Sequence, residues 1–227
     1  AAIDAVYVVT PRIANEMISR RELTSQGAKA RRMLIDSFIS NEGIEAFGVS
    51  GYGPDRAIYE AVFRTTGLHR QDRKSDAWTI SDPSDRAWKK LWRQLKSSIA
   101  STTTDRVSLL DIANEMKQPP FGLKDGIIPL LLVVSLSELM DDVALYEHGS
   151  LVLKLDDAVA ERMARNLGHF SIKNAGASSG GRRVVIEELS NRLGIKLNGE
   201  APPFLRVARA LYREVQLQPS FTQQTRA

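Results

Sequence analysis

The run Asp125-Gly-Ile-Ile-Pro-Leu-Leu-Leu-Val-Val-Ser-Leu-Ser-Glu-Leu-Met140 decides how this chain folds. Its apolar heart, Ile127 to Leu136, is far shorter than the ~20 residues that span a bilayer, and it contains Pro129. A buried helix is the reading that fits, expected over Leu123–Met140. Proline is tolerable there if the helix begins near Asp125, because first-turn amides have no intrahelical partner in any case. A helix that is apolar on all sides has to be enclosed by other elements, so its neighbours in sequence are expected to supply a shell.

On the C-terminal side, Val143–Tyr146 and Leu151–Leu155 flank Glu147-His-Gly-Ser150, two β-rich runs around a glycine turn that predict a hairpin. Asp156 or Asp157 should cap a helix to about Leu167, and Phe170-Ser-Ile172 reads as a short strand. On the N-terminal side, Pro119-Pro120 breaks the chain after a short helix over Ser108–Met116. Helix, helix, hairpin is the order of a winged helix. Such a fold reads DNA with polar and basic side chains on its second helix. Here that helix is apolar, which favours packing or tethering over base reading.

Farther upstream, Asp82-Pro-Ser-Asp85 predicts a helix start with Asp82 as cap, followed by a face of Trp88, Leu91, Trp92, Leu95 and Ile99. Ser101-Thr-Thr-Thr104 ends it and is taken as a domain boundary. Thr10-Pro11 looks like another helix start, with Ile13, Met17 and Ile18 at helical spacing, and Val6–Val9 like a short strand. A helix from Thr24 or Ser25 to Ser40 should bury Ala30, Met33, Leu34, Ile35 and Phe38. After the loop Gly48–Pro54, Pro54 should begin a helix that Gly67 ends. Beyond the glycine-rich run Ala175–Gly181, helices are expected at Arg183–Leu193 and Pro203–Val215. The expected architecture is therefore mainly α: a helical subdomain (1–104), a winged-helix-like subdomain with one β-hairpin (105–175), and C-terminal helices (176–227).

Composition limits the chemistry. With 227 residues and 43% apolar content a proper core can form. The absence of cysteine excludes disulfides, thiolate metal sites and cysteine nucleophiles, and suits a reducing, cytoplasmic setting. No segment reads as a signal peptide or membrane span, so no membrane partner is expected. The chain begins at Ala1 without methionine, which suggests a part of something longer. The net charge of +4 is spread evenly, with 16 basic and 13 acidic residues in 1–105 and 15 and 14 in the remainder, so a nucleic-acid surface would have to be a local patch.

Catalytic motifs are missing. The glycine clusters Gly48–Gly53 and Gly176–Gly181 lack the lysine of a phosphate loop, and Gly-x-Ser-x-Gly does not occur. His69, His148 and His169 lie far apart in sequence; His148 reads as a turn residue, while His69 and His169 follow helix ends, where a cation suits the helix dipole. No metal site, no catalytic residue and no cofactor are expected in this chain. For nucleic acid, the candidates are Lys89, Lys90, Arg93 and Lys96 beside the tryptophan face, and Arg206, Arg209 and Arg213 along a later helix. A solvated charged face over an apolar stripe predicts the same pattern.

Several strings occur together: Thr10-Pro-Arg-Ile-Ala-Asn-Glu-Met-Ile-Ser-Arg-Arg21, Lys29-Ala-Arg-Arg32, Gly53-Pro-Asp-Arg-Ala-Ile-Tyr59, Gly67-Leu-His69, Pro119-Pro-Phe-Gly-Leu-Lys-Asp-Gly-Ile-Ile-Pro129, Ala144-Leu-Tyr-Glu-His-Gly-Ser150 and Pro219-Ser-Phe-Thr-Gln-Gln-Thr-Arg226. With them the chain resembles the segment downstream of the P-loop core in large bacterial ATPases of anti-phage defence loci (BREX-like). The resemblance implies a helical region that joins the ATPase core to later parts, with ATP and Mg2+ held by the core and not by this chain. Its partners would be that core or other protein subunits, with DNA as the alternative. It also implies that Arg20, Arg21, Arg31 and Arg32 approach a nucleotide phosphate as lid arginines do; the alternative is salt bridging to Glu16, Glu22 and Asp36 at helical spacing.

Overall fold

A computed structural model describes residues 10–72, 75–102, 105–175, 181–195 and 204–218. The strand expected at Val6–Val9, the end of the Ser101–Thr104 run, most of the glycine-rich run and the tail from Pro219 lie outside these residues.

The apolar run is a helix, α5 (Ile128–Leu139), with Pro129 in its first turn, and every residue from Ile128 to Leu136 is buried. It begins three residues later than Asp125 because the preceding stretch is committed elsewhere: Gly126 donates its amide to Arg20 O (2.8 Å) and its carbonyl accepts from Arg31. The shell consists of α1 (Ser25–Asn41), α3 (Arg86–Ala100) and α6 (Asp157–Arg165), all packed against α5. On α3 the buried face is Trp88, Leu91, Trp92, Leu95 and Ile99, as the spacing predicts. On α1 it is Ala30, Leu34, Ile35 and Phe38, with Thr24 as N-cap accepting from Gly27 N, whereas Met33 turns outward.

The mainly α expectation with a single hairpin is overturned: the fold is mixed, with a two-stranded and a four-stranded antiparallel sheet among the described residues. The smaller pairs β1 (His69–Gln71) with β2 (Trp78–Ile80). The larger runs β3-β6-β4-β5, from β3 (Val107–Ser108), β4 (Val143–Glu147), β5 (Ser150–Val152) and β6 (Phe170–Asn174). The anticipated hairpin is its β4–β5 edge, and the strand at Phe170 is central, paired with β4 from Val143↔Asn174 to Glu147↔Phe170. That strand separates β3 from the hairpin, so a helix pair plus one wing is not the architecture here. β1, β2 and β3 were too short, at two or three residues, to give a period-2 signal.

Other local differences have visible causes. Residues 10–22 form no helix: Asn15 Oδ1 accepts from the amides of Met17 (3.0 Å) and Ile18 (3.3 Å), the local competition by which Asn side chains displace helix bonds. The cap of α3 is Asp85, which accepts from Ala87 N and Trp88 N, while Asp82 pairs with Arg93. Pro54 does start α2 (Pro54–Tyr59), which continues through a wider turn, Glu60–Arg64, to Gly67 at φ +73°. Short helix α4 (Leu109–Lys117) is capped by Ser108 and α6 by Asp156. Helices α7 (Gly181–Arg192) and α8 (Phe204–Leu217) pack on one another.

One hydrophobic cluster runs from Ile18 through α1, α3 and α5 to Ile172. At its edge Phe47 meets Phe38 (5.2 Å), Tyr59 (5.2 Å) and Phe63 (5.0 Å) ring to ring. Phe47 and Ala46 hold the left-handed backbone (φ 55° and 53°), a strain offset by burying that ring. No helix among the described residues is long and apolar enough to cross a membrane.

A Cβ on Gly126 would lie 2.3 Å from Ile18 O and 2.9 Å from Arg20 O, both backbone atoms. Gly126→Ala should therefore cost about 3 kcal/mol or more, the upper end of overpacking, whereas Gly43→Ala, with nothing within 4 Å, should be near neutral. Urea unfolding of the two variants checks this.

Candidate functional site

Helices α1 and α6 enclose a cleft of about 270 Å³ lined by Lys29, Arg31, Arg32 and Asp36 from the first and Glu161, Ala164 and Arg165 from the second, with Ile35 at the base. Three residues apart on α6, Glu161 and Ala164 share a face, and α1 presents its basic run Lys29–Arg32 across from them. Arg31 is the fixed member. Its Nη1 donates to Gly126 O (3.0 Å) and its Nη2 to Ala164 O (3.3 Å), tying α1 to the start of α5 and the end of α6. Burial pulls its pKa below the ordinary guanidinium value, but it stays a cation at neutral pH. Arg32 reaches Glu161 (3.0 Å) and Asp36 (3.7 Å), and Arg165 also pairs with Glu161. Burial lifts the Asp36 carboxyl above its usual range against the pull of Arg32, with Asp157 and Glu161 adding to the rise.

Of the four arginines singled out in the sequence, the structure brings Arg31 and Arg32 to this cleft. Arg20 is turned to its own segment, Nε donating to Glu16 O (3.1 Å), and Arg21 lines a different cavity, with Lys117 and Lys124. The salt bridge expected at helical spacing is present for Arg32–Asp36. For Arg31 the partners are backbone carbonyls 95 and 133 residues away, which no local spacing signals. Glu161 and Arg165 were missed because each lies on a short amphipathic helix with an ordinary charge pattern.

The basic faces are largely occupied by internal pairs. Arg93 holds Asp82 Oδ2 with Nε (3.2 Å) and Nη2 (3.1 Å), and Lys96 pairs with Glu138 (3.1 Å), joining α3 to the end of α5. Arg206 and Arg209 both turn to Asp141, and Arg209 also donates to Met140 O, so α8 is anchored at the C-terminal end of α5. Lys90 and Arg213 are exposed and Lys89 is half-buried.

His69 differs from the expected helix-end cation, whereas His169 does close a helical turn, Leu167–His169, after α6. His69 is 1% exposed, its Nδ1 2.9 Å from Tyr59 Oη and its Nε2 3.0 Å from Glu42 O. Since a carbonyl can only accept, Nε2 carries the proton and Nδ1 accepts from Tyr59. Burial drives the imidazole pKa down to about 4, against the Glu42 carbonyl, and lifts the Tyr59 phenol to about 12. His148 is the hairpin-turn residue the sequence indicates, at φ 47°, and its ring lies 4.2 Å from that of His169. Among the described residues no group of three or more His, Asp or Glu side chains is placed to hold a metal ion.

No protein-family model matches the chain, and no curated protein or solved structure does so either.

Truncating Arg31 strands two carbonyls. Arg31→Met should cost about 2–4 kcal/mol, while Arg32→Met, at an exposed pair, should cost under about 1 kcal/mol; denaturant titration separates them. His69 is neutral when folded and takes up a proton more readily when unfolded. Its contribution is therefore full above pH ~6.5 and is lost as pH falls toward 4, by at most about 3 kcal/mol. His69→Phe should flatten that pH dependence of the unfolding free energy.

Proposed function

We propose that this chain is a non-catalytic lid or scaffold region of a larger bacterial P-loop ATPase, of the anti-phage defence kind it resembles, and that it works by protein–protein contact. The observation that carries this reading is the placing of apolar surface. Of the eleven large apolar side chains that stand exposed among the described residues, six lie on α7 and α8: Val184, Val185, Leu211, Tyr212, Val215 and Leu217. Scattered single exposures need no explanation, but a concentration on two adjacent helices suits a face that meets protein. The occupant this reading assigns is the ATPase core of the parent protein, whose P-loop would hold ATP and Mg2+.

The internal bonding supports the scaffold role. Arg31, Lys96, Arg206 and Arg209 each join elements that are distant in sequence, so a force applied at α8 reaches α5 through Asp141 and Met140. The same pairing argues against the nucleic-acid alternative. A phosphate backbone would have to displace Asp82 from Arg93, Glu138 from Lys96 and Asp141 from Arg206, and give up those contacts in exchange.

The coding sequence upstream of Ala1 is the first test: a Gly-x-x-x-x-Gly-Lys-Ser/Thr loop after a strand is expected, and its absence overturns the parent class. With that core in hand, Tyr212→Ser/Val215→Ser should weaken its association with this chain at least tenfold. Lys89→Glu/Arg93→Glu should leave it unchanged. Tight DNA binding that falls steeply with salt and is lost in Lys89→Glu/Arg93→Glu would instead establish the nucleic-acid reading.

A further inference from the structure

Residues 10–22 gain little from regular hydrogen bonding, yet they are fixed to the body at widely separated points. Thr10 Oγ1 donates to Pro120 O (2.7 Å), Trp88 Nε1 donates to Arg12 O (3.1 Å), and Gly126 N donates to Arg20 O (2.8 Å). Pinned in this way the segment forms one wall of a cavity of about 460 Å³, the turn after α4 forming the other. The floor includes Phe121 and Leu123, each 5% exposed. The polar lining comes from three separate stretches: Arg21 and the hydroxyls of Thr10 and Ser19 from the segment, Lys117 from the end of α4, and Lys124 from the turn.

The charges here are unbalanced. Lys117 pairs with Asp125 (2.5 Å), whereas Arg21 and Lys124 have no carboxylate within ion-pair reach among the described residues. Elsewhere Arg32, Arg93, Arg162 and Arg206 each have one. The carbonyls at the end of α4, which would repel an anion, are taken up by the turn: Leu123 N bonds to Met116 O, and Phe121 N and Gly122 N bond to Gln118 O. One carboxylate against three cations leaves two positive charges, both on exposed side chains, along the lining of one cavity. Like charges there repel, a cost that a dianion with several acceptor oxygens would remove while bonding to the Arg21 guanidinium, the Lys124 ammonium and the Ser19 hydroxyl.

We propose that this cavity binds a dianionic phosphate group, with Arg21 and Lys124, the cations without a carboxylate partner, as its charged contacts. The site lies apart from the α1–α6 cleft and does not depend on the parent-ATPase reading. Phosphate as the free ion and phosphate carried on a small organic molecule share this chemistry; the apolar floor of Phe121 and Leu123 distinguishes them.

The test is thermal unfolding of the chain at low ionic strength, titrated with sodium phosphate, phenyl phosphate or sodium chloride at matched ionic strength, with 31P line broadening as the direct binding readout. A saturable rise in melting temperature with phosphate and not with chloride is expected. Tighter binding of phenyl phosphate would assign an organic phosphate, and equal binding the free ion. Arg21→Gln/Lys124→Gln should melt higher than the parent chain in phosphate-free buffer, because repulsion is relieved, and should lower phosphate affinity about tenfold or more. Lys29→Gln, in the other cleft, should leave that affinity unchanged. No saturable effect of phosphate, or an undiminished one in Arg21→Gln/Lys124→Gln, overturns the proposal.

Discussion

Enclosure of α5 is the constraint on which the rest depends. Nine consecutive residues, Ile128 to Leu136, are buried on every side of the helix, so no part of that stretch is left to touch solvent or ligand. Burying such a side chain stabilises by about 1.5–3 kcal/mol relative to exposure, and the gain is realised only if other elements close around the helix completely. α1, α3 and α6 do so, each with a narrow apolar stripe and a charged outer face. The charged residues at the rim then follow: Lys96–Glu138 and Arg206–Asp141 gather at the C-terminal end of α5, and Arg31 is drawn to the carbonyl of Gly126 at its start.

This geometry separates the two places where the molecule has something to offer. Around α5 the cations are consumed as fasteners, and the α1–α6 cleft is a joint whose central arginine bonds to backbone. In the cavity behind the 10–22 segment, Arg21 and Lys124 have no such role. At the other end, α7 and α8 carry apolar side chains outward while two arginines fix α8 to the core.

The elements with strong periodicity were legible. Trp88, Leu91, Trp92, Leu95 and Ile99 define their helix by spacing alone, as do Ala30, Leu34, Ile35 and Phe38, and the turn residues His148-Gly149 mark the hairpin. What failed was short or long-range. The strands at His69, Trp78 and Val107 are two or three residues long, and their pairing is decided by partners far away in sequence, which is why a mixed fold read as mainly α. Asn15 diverted an apolar pattern at Ile13, Met17 and Ile18 from helix to turn. At the α1–α6 cleft the identities of Arg31 and Arg32 were visible, but their partners were not, since Gly126 O and Ala164 O are backbone atoms that any residue could supply. His69 was misread for a similar reason: its surroundings are set by Glu42 and Tyr59, reached only through the fold.

The most direct test of the central claim is native-state hydrogen exchange along α5. The amides of Leu132 to Leu136 should be among the slowest in the chain and should exchange only through global unfolding, with opening free energies that follow the global value as urea is added. Exchange of these amides through a low-energy local opening, independent of urea, would show that α5 is not enclosed and would contradict the account.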